Sequence, residues 1–455
     1  IETWVKPIRI GRFAGTMAMT EPGAGSGLAD LTTTAVPADD GTYRIRGSKI
    51  FISGGEHELN ENIVHLVLAR IKGAPAGVKG ISLFIVPKIL VNADGSLGER
   101  NDVALAGLFH KMGGRGQTST ALSFGENEGA VGYLVGEENR GLTYMFHMMN
   151  EARVMVGTGA ACLALTGYQY SLDYARERPQ GRLPSCKDPS SAPVSIIEHA
   201  DVRRMLLAQK AYAEGAFALC MFGAQLADDK DTEQTEEARH AAHTLLDFLT
   251  PIIKTWPSEY GPKANDLAIQ VLGGHGYINE HPVEMFYRDN RLNPIHEGTT
   301  GIQSLDLLGR KLPMNNMAGY RAFLALMQTT IDEARKGDLA PVAERLAAAI
   351  VTLETTTEHL LGAMMAKPID LVMANSVKYL EVFGHVVIAW LWLRQGLVAQ
   401  KGMAAKPHET DQQFYLGKLQ AMKYFFNFEL PLIEVWSKNL LDLDATFYEM
   451  NNNWF

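Results

Sequence analysis

In the first third of the chain, apolar and polar residues alternate within short segments, a pattern that is typical of β-strands. Five segments between Thr16 and about Phe124 show this pattern: GTMAMT, TYRIRGSKIFI, NIVHLVLARI, GISLFIVPKI and TSTALSF. Gly, Asp, Asn and Pro turn signals, such as ADDG and ADGS, bound these segments at spacings typical of an antiparallel sheet. The pattern therefore predicts a central antiparallel β domain over residues 15–136, preceded by a linker at residues 1–14.

The remaining two thirds of the chain change to helical spacing. Apolar residues recur every three or four positions from Leu142 to Arg178, which predicts one long helix. Further helices are predicted at Ile196–Leu226, Glu233–Thr255 and Tyr260–Leu272, and a last one passes through LLGRK. We assign these to a helical bundle at residues 137–312. Ala-, Leu- and Met-rich segments from Pro313 onward predict a separate helical C-terminal domain at 313–455, so the fold class is α+β.

Composition and charge exclude several classes of protein. The 455 residues are 46% hydrophobic and 20% charged, as in ordinary globular enzymes. A formal net charge of -9 argues against nucleic-acid binding, which needs a basic surface. The three cysteines are too widely spaced for a disulfide framework or a CxxC metal site, which favours a reducing, cytoplasmic location.

The longest apolar run and the first residues of the chain bear on two further questions, membrane crossing and whether the sequence is a fragment. VVIAWLWL is far shorter than the roughly 20 residues that cross a bilayer, so it is predicted to be a buried helix rather than a transmembrane segment. The opening residues, IETWVKPIRIGRF, lack Met and lead directly into a strand. The chain is therefore expected to be a fragment.

Several familiar motifs are absent or incomplete. GAGSG lacks the third glycine of a dinucleotide fingerprint and continues into a Thr-rich segment, and GTGAAC lies within a helical pattern, where small residues permit close helix packing. The thirteen histidines form no HExxH, so we expect no metal site. No GxSxG nucleophile elbow is present.

Two strand ends are candidates for ligand binding. TEPGAGS ends a strand in a threonine, an acid-proline pair and a flexible loop with several free N–H groups, which could hold an anionic ligand or could be a plain turn. In KIFISGG, Phe51 and Ser53 lie on one side of a predicted strand, where they could stack against and hydrogen-bond to a ring system. Composition alone favours a core position for Phe51.

PIHEGTTGIQ contains a carboxylate that is a candidate for a catalytic role. Glu297 stands between an apolar lead-in and a Gly-Thr-Thr turn that is typical of a helix start. It could be a loop acid favoured by the helix N-terminus, or a catalytic base. Local spacing does not choose between the two.

Five motifs in this order resemble those of the acyl-CoA dehydrogenases, flavoproteins that oxidise the α,β bond of acyl-CoA thioesters. They are TMAMTEPGAGS, KIFISGG, KMGGRGQTSTALSF, QVLGGHGYINEHPVEMFYRDNRL and IHEGTTGIQ, and the match runs from roughly Thr16 to Lys311. The resemblance implies a β domain between an N-terminal helical domain and a four-helix bundle, with FAD between β domain and bundle. We expect the N-terminal helical domain to be missing from this chain.

The resemblance also implies which residues bind the cofactor and the substrate. Cofactor contacts are expected from Met17, Met19, Thr20, Ser26, Phe51, Ser53, Arg178, Gln180, Gln270, Gly273, Gly274 and Thr299. Within this set, the residues from Met17 to Ser53 belong near the flavin, and those from Arg178 to Gly274 near the FAD diphosphate and adenosine across a subunit interface. Substrate contacts are expected from Ser26, Asn150, Arg153 and Gly298.

In the family, the residue that Glu297 matches is the catalytic base. The resemblance implies that Glu297 removes the α-proton as the β-hydride leaves for flavin N5, giving the trans-2-enoyl-CoA. Hydrogen bonds from the backbone N–H of the catalytic residue and from a flavin ribityl hydroxyl would stabilise the enolate, and desolvation would raise the pKa of the carboxyl group. Some branches place the base at the position held here by Ala152, which cannot serve; neighbouring Glu151 is the alternative.

Two positions depart from the family pattern. Gly181 replaces an aromatic residue after the arginine motif, and Gly301 replaces a glutamine near the flavin, so these contacts are not expected. The loop from Gly181 to Ile196 is also longer than usual.

The C-terminal segment QFYLGKLQAMKYFFNFELP resembles a bacterial branch that includes 3-methylthiopropionyl-CoA dehydrogenase and broad-range fatty acyl-CoA dehydrogenases. Its 12 Lys and Arg against 15 Asp and Glu disfavour the DNA-binding role of a related branch. Expected partners are an acyl-CoA, an electron-transfer flavoprotein and further copies in a homodimer or dimer of dimers. An acyl-CoA oxidase and a non-catalytic flavin- or CoA-binding scaffold are the alternative functions.

Overall fold

The computed structural model describes residues 2–455, apart from the side chains of His147 and Met148. The chain forms two compact units, one up to Met149 and one from Asn150 to Phe455. Residue 1 of the predicted linker lies outside the described residues, and the rest of that linker contains a short helix, α1, at Val5–Arg9.

The first unit is built mainly from strands. They are β1 (Phe13–Ala18), β2 (Thr34–Pro37), β3 (Tyr43–Ser53), β4 (Asn62–Ile71), β5 (Ile81–Pro87), β6 (Ile89–Val91), β7 (Leu97–Arg100), β8 (Val103–Leu108), β9 (Ser119–Phe124) and β10 (Ala130–Leu134). All five predicted strands are confirmed. The sequence did not reveal β2, β6, β7, β8 and β10, which are short or largely exposed and therefore carry little apolar alternation.

Eight of these strands form one mixed sheet. Its order is β1-β4-β5-β10-β3-β9-β8, with β2 paired to both β3 and β4, while β6 and β7 form a separate hairpin. Most pairs are antiparallel as predicted, but β1 and β2 each run parallel to β4. Turn signals between strands do not report this, because parallel pairing depends on which strands become neighbours.

Residues that point to one side of this sheet build its core. Ile45, Val67, Phe84 and Leu122 are fully buried, and they come from four different strands. β-branched and aromatic residues at alternate positions suit such a half-buried surface. The register of β3 against β9 shifts between Lys49 and Ile52, so β3 bulges just where the KIFISGG motif lies.

The second unit is helical. Its helices are α2 (Gly141–Glu177, which begins in the first unit), α3 (Ala200–Thr232), α4 (Glu236–Leu272), α5 (Val283–Asn290), α6 (Thr300–Asp306), α7 (Met314–Ala334), α8 (Ala340–Ala366), α9 (Ile369–Met373), α10 (Ser376–Ala404), α11 (Glu409–Tyr424), α12 (Leu432–Leu441) and α13 (Thr446–Glu449). The helix predicted through LLGRK continues α6 as a π-helical turn at Leu307–Lys311.

The prediction of two helices at Glu233–Thr255 and Tyr260–Leu272 is wrong. A single helix, α4, runs through this stretch and contains Pro251, Pro257 and Pro262. Proline usually ends or kinks a helix because it lacks an N–H and its ring crowds the preceding turn. Here the middle of α4 is buried by its neighbours, and that packing outweighs the local preference for a break.

The small residues of GTGAAC allow α2 and α4 to approach closely, as the sequence predicted. A Cβ added to Gly157 would lie 2.3 Å from the carbonyl oxygen of Ile253, on α4. The carbonyl of Ile253 also lacks its usual helical hydrogen bond, because residue 257, whose N–H would donate to it, is a proline. Glycine is therefore required at this contact by close backbone approach.

Helix α10 passes through the core of the second unit. The predicted buried helix at VVIAWLWL is confirmed, since Val386–Leu393 lies within α10 and is almost wholly inaccessible. By length and composition α10 could cross a membrane, but 78% of its most apolar stretch is buried inside the protein. One apolar cluster continues from α3 and α4 through α7, α8, α10 and α12.

Candidate active site

The loop that carries Glu297 connects α5 to α6 in an uncommon conformation. Glu297 has a φ of 53° and Gly298 a φ of 89°, both in the left-handed region. Glycine adopts this region freely, but a glutamate there is strained and needs support from its surroundings. Thr299 ends the loop and caps α6, its hydroxyl accepting a hydrogen bond from the N–H of Ile302 at 3.3 Å.

Two buried polar side chains hold this loop. The ammonium of Lys254, on α4, donates to the carbonyl of Asn293 at 2.7 Å and to that of Gly298 at 2.8 Å. The side-chain amide of Gln303, on α6, donates to the carbonyl of Glu297 at 2.9 Å. These bonds over-determine the backbone of Glu297, which is the condition under which a strained conformation persists.

The Glu297 carboxylate is buried enough to be a stronger base than a surface carboxylate. Its Oε2 is inaccessible and has no hydrogen-bond partner in the described part of the chain, which excludes the side chains of His147 and Met148. Burial raises its pKa, while the nearby charges of Arg153 and Lys254 oppose that rise. The backbone N–H of Glu297 likewise donates to no group in the described part of the chain, so a carboxylate and an N–H are both available at one residue.

Arg153 and Asn150, both on α2, each contact an acidic residue of the second unit. Arg153 is 5% exposed, and its guanidinium lies 3.7 Å from a carboxylate oxygen of Asp306. Asn150 donates to Asp247 at 3.3 Å, and Asp247 also pairs with Lys311. The structure thus brings Arg153 near Glu297, and the acids that hold Arg153 could not be predicted from periodicity or motif spacing.

Glu151, the alternative base, has a different environment. Its side chain is exposed, and one of its oxygens accepts a hydrogen bond from Lys230 at 3.3 Å. An exposed carboxylate lacks the desolvation that makes Glu297 basic.

In the first unit, the end of β1 is fixed by a buried ion pair. Met17 and Met19 are half-buried against the apolar residues of this unit, and the carbonyl of Thr20 accepts from Ile50 at 2.9 Å. Glu21, which follows Thr20, pairs with Lys49 at 2.8 Å, with almost no exposure of either side chain.

Glu21 also accepts hydrogen bonds from the N–H and hydroxyl groups of Thr32 and Thr33. Burial raises the pKa of Glu21, but the bonds from Lys49, Thr33 and Thr32 outweigh it and hold the pKa at about 2. The acid of TEPGAGS is therefore a structural anchor. Beyond it the loop opens, since Ser26 is exposed and a Cβ added to Gly23 would meet nothing within 4 Å.

Phe51 and Ser53 share an exposed face of β3, as predicted, with buried Ile52 between them. The interpretation of Phe51 as a core residue is wrong. Its side chain is 60% exposed, its φ is 59°, and its ring lies 4.7 Å from that of Phe109. The bulge in β3 turns this aromatic residue outward, an effect that strand alternation does not predict.

The residues expected near the FAD diphosphate and adenosine are exposed in the second unit. They are Arg178, Gln180, Gln270, Gly273 and Gly274. Tyr174, one turn before Arg178, bonds through its hydroxyl to His275 at 2.7 Å, which joins the end of α2 to the segment that follows α4. The carbonyl of Gln180 accepts from His199 at 2.7 Å, which leaves the Gln180 side chain at the surface.

Three family models match consecutive parts of the chain. The middle domain of acyl-CoA dehydrogenase matches residues 16–126, and the C-terminal domain of acyl-CoA dehydrogenase matches residues 139–312. A domain described as acetyl-CoA dehydrogenase C-terminal like matches residues 323–451.

Curated relatives match over nearly the whole chain. The sequence is 42% identical over 418 residues to 3-methylmercaptopropionyl-CoA dehydrogenase of Ruegeria pomeroyi, covering 91% of this chain and 69% of that protein. It is 36% identical over 451 residues to the broad-specificity linear acyl-CoA dehydrogenase FadE5 of Mycobacterium tuberculosis, covering 96% and 74%.

A solved structure shows the same fold. Acyl-CoA dehydrogenase of Bacillus anthracis, crystallised with FAD, superposes with a TM-score of 0.73 at 23% identity and covers 96% of this chain and 70% of that one. The chain belongs to the acyl-CoA dehydrogenase family, in the branch with an additional C-terminal helical domain. The predicted family and the acyl-CoA dehydrogenase class of enzyme are confirmed, and the predicted FAD cofactor agrees with the FAD bound in the Bacillus anthracis structure.

Proposed function

We propose that this chain oxidises the bond between the α and β carbons of an acyl-CoA thioester to the trans-2-enoyl-CoA, and that Glu297 removes the α-proton. The observation that carries the proposal is the Glu297 carboxylate, whose Oε2 is buried and has no hydrogen-bond partner among the described groups. Burial raises the pKa of this group, so the carboxylate binds a proton more strongly than an ordinary glutamate does.

The α-proton of a thioester is weakly acidic, so the base needs help from an oxyanion site. The Glu297 N–H donates to no group among those that the structure describes and is the donor that we assign to the thioester carbonyl. Gly298 follows with a φ of 89°, which glycine adopts freely, and its lack of a side chain would let the substrate approach the backbone. Arg153, which pairs with Asp306 at 3.7 Å, remains with Ser26, Asn150 and Gly298 among the residues that we assign to the substrate.

The residues of the chain fit FAD. Phe51 and Phe109 form an exposed aromatic pair, and Ser53 places a hydroxyl on the same face of β3 as Phe51. Such a face suits stacking on a flat ring and hydrogen bonding to its edge. When bound, FAD supplies the acceptor for the hydride that leaves the β-carbon.

The proposed contacts follow the family pattern. The flavin ring would be held by Met17, Met19, Thr20, Phe51, Ser53 and Thr299, the diphosphate and adenosine by Arg178, Gln180, Gln270, Gly273 and Gly274, and the CoA thioester by Ser26, Asn150 and Gly298. Reduced enzyme would pass its electrons to an electron-transfer flavoprotein. A homodimer or dimer of dimers in the cytoplasm is part of the same proposal.

The names of the relatives suggest linear acyl groups as substrates, including one with a methylthio end. An anaerobic titration with short, medium, long and methylthio-substituted acyl-CoAs, followed by flavin absorbance, tests the proposal. We expect wild type to bleach with a chain-length preference. E297Q should keep FAD but bleach about 10²–10⁴-fold more slowly, the usual contribution of a positioned base.

E151Q is the matched control, because it removes the exposed neighbouring acid that could also serve as a base. It should bleach at the wild-type rate. Rapid bleaching of E297Q would contradict the assignment of the base, and retained flavin that no thioester reduces would favour a binding scaffold. Reoxidation by O2 as fast as by electron-transfer flavoprotein would indicate an oxidase.

A further inference from the structure

Lys254 is a lysine in an unusual setting. It lies in the middle of α4, its side chain is fully buried, and its ammonium donates to two backbone carbonyls rather than to a carboxylate. Buried lysines are rare because an ammonium loses its hydration and usually needs a counter-charge. A lysine kept in such a place therefore points to a specific task.

The two carbonyls that Lys254 binds bracket the catalytic loop. Asn293 stands just before Pro294, where the loop begins, and Gly298 follows Glu297 directly. Both ends of the segment from Asn293 to Gly298, which contains the two left-handed residues Glu297 and Gly298, are thus tied to one helix. Without these bonds, Glu297 would keep only the Gln303 bond as support for its strained φ, and two carbonyls would lose their donor.

The charge of Lys254 also reaches Glu297. Three charged groups act on the Lys254 ammonium: Glu259 on the same helix, Arg153 on α2 and Glu297 on the loop. Burial lowers the pKa of Lys254 to about 8, so the ammonium form still prevails at pH 7. His296, next to Glu297, has a pKa lowered to about 4 by burial and by Lys254, and is neutral there.

We propose that Lys254 is a positioning residue for Glu297, holding the backbone of the catalytic loop at both ends and placing a fixed positive charge near the carboxylate. This inference rests on the proposed role of Glu297 as base. The consequence is a base that stays ionised at a lower pH than its burial alone would allow.

K254M removes the charge and both hydrogen bonds and keeps most of the stem volume. We expect the pKa of Glu297 to rise by about one pH unit in K254M, because a nearby positive charge is lost. The acid limb of the kcat/KM pH profile should move upward by the same amount. Loss of the two backbone ties should lower kcat by about 10–100-fold with a smaller change in KM.

A second readout does not depend on activity. The infrared carbonyl band of the protonated Glu297 side chain, assigned by its loss in E297Q, can be titrated in the purified holoenzyme. Its midpoint should shift upward in K254M and stay near the wild-type value in K254R, which keeps the positive charge. A purely structural lysine would leave the midpoint unchanged.

K263M is the matched control, because Lys263 lies on the same helix with its ammonium over the Tyr260 ring at 3.8 Å. Its infrared midpoint should equal that of wild type. The inference is overturned if K254M and K254Q fold, retain FAD and titrate like wild type. It is also overturned if neither folds while K263M does, since Lys254 is then needed for folding itself.

The two proposals fail in different ways. If E297Q reduces its flavin at the wild-type rate, the role of Glu297 as base is wrong, and with it the role of Lys254. If E297Q is inactive while the K254M midpoint is unmoved, only the inference about Lys254 is wrong.

Discussion

At the scale of single residues, two bulky side chains with left-handed backbone mark the proposed chemistry. Phe51 has a φ of 59° and Glu297 a φ of 53°. Each such residue costs on the order of 1–3 kcal/mol and persists only where its surroundings hold it. Both belong to motifs that the sequence singled out, but neither conformation is visible in the sequence, because it depends on a bulge and on buried anchors.

Substitution of Phe51 distinguishes a role in cofactor binding from a role in packing. Phe51→Ala should lower the free energy of unfolding by no more than about 1.5 kcal/mol, the range of a single aromatic pair, because the ring is exposed and contacts Phe109. The affinity of the Phe51→Ala variant for FAD should fall by about 10-fold or more, since a stacking surface is lost. Urea unfolding of the apoprotein and equilibrium dialysis with FAD measure the two effects.

Phe124→Ala is the matched control for Phe51→Ala. Phe124 lies on the neighbouring strand β9 and is 1% exposed, so its truncation should cost about 3–5 kcal/mol. Equal losses of stability in the two variants, with FAD affinity unchanged in Phe51→Ala, would indicate that Phe51 contributes to packing and not to FAD binding.

The sequence identified Glu297 but not the groups that set its properties. IHEGTTGIQ is a local motif, whereas Lys254, Arg153 and Gln303 reach Glu297 from three different helices. Lys254 is 43 residues away and is one of 42 Lys and Arg in the chain. Periodicity and spacing do not report such contacts, because they arise only when the helices pack together.

At the scale of elements, apolar periodicity predicted where the helices lie, but local sequence signals did not predict where they end. The long helix predicted from Leu142 is observed as α2, and the segments after Pro313 are helical as expected. The predicted break in α4 is wrong because proline preference was outweighed by burial. Short strands such as β6, at Ile89–Val91, are too brief to show alternation.

Two glycines of α2 give predictions of opposite sign. Gly157→Ala would place a methyl group 2.3 Å from the Ile253 carbonyl oxygen, so we expect a loss of about 1–3 kcal/mol from overpacking. Gly159→Ala points into open space, with nothing within 4 Å, and should gain about 0.5–1 kcal/mol from helix propensity.

Urea midpoints of the two glycine variants, with the m-value checked for constancy, give the comparison. Changes of the same sign in both variants would contradict the close contact between α2 and α4. Far-ultraviolet circular dichroism of each variant before unfolding shows whether the helix content is kept.

At the scale of the whole molecule, the family models divide the helical region into two domains, whereas its apolar core is continuous. The family models change between residues 312 and 323, near the boundary predicted at 313. The apolar core, however, continues from α3 and α4 into α7, α8 and α10 without interruption. A continuous core couples the stability of the helices that share it.

Trp390 tests this coupling, because it lies on α10, is fully buried and packs between Phe222 on α3 and Phe323 on α7. Its indole N–H donates to Thr330 at 2.8 Å. Trp390→Ala should cost about 3–5 kcal/mol through the cavity and the lost donor. If the second unit opens cooperatively, native-state hydrogen exchange should show that loss equally in the amides of α4 and of α8.

Trp454→Ala provides the comparison for that experiment, since Trp454 is 69% exposed and its removal should leave protection unchanged throughout. Protection that falls in α8 but not in α4 of Trp390→Ala would mean that residues 313–455 open as a separate domain. The predicted boundary would then have a thermodynamic meaning. An equal fall would mean that the C-terminal helices help to hold α4, and through Lys254 the catalytic loop, in place.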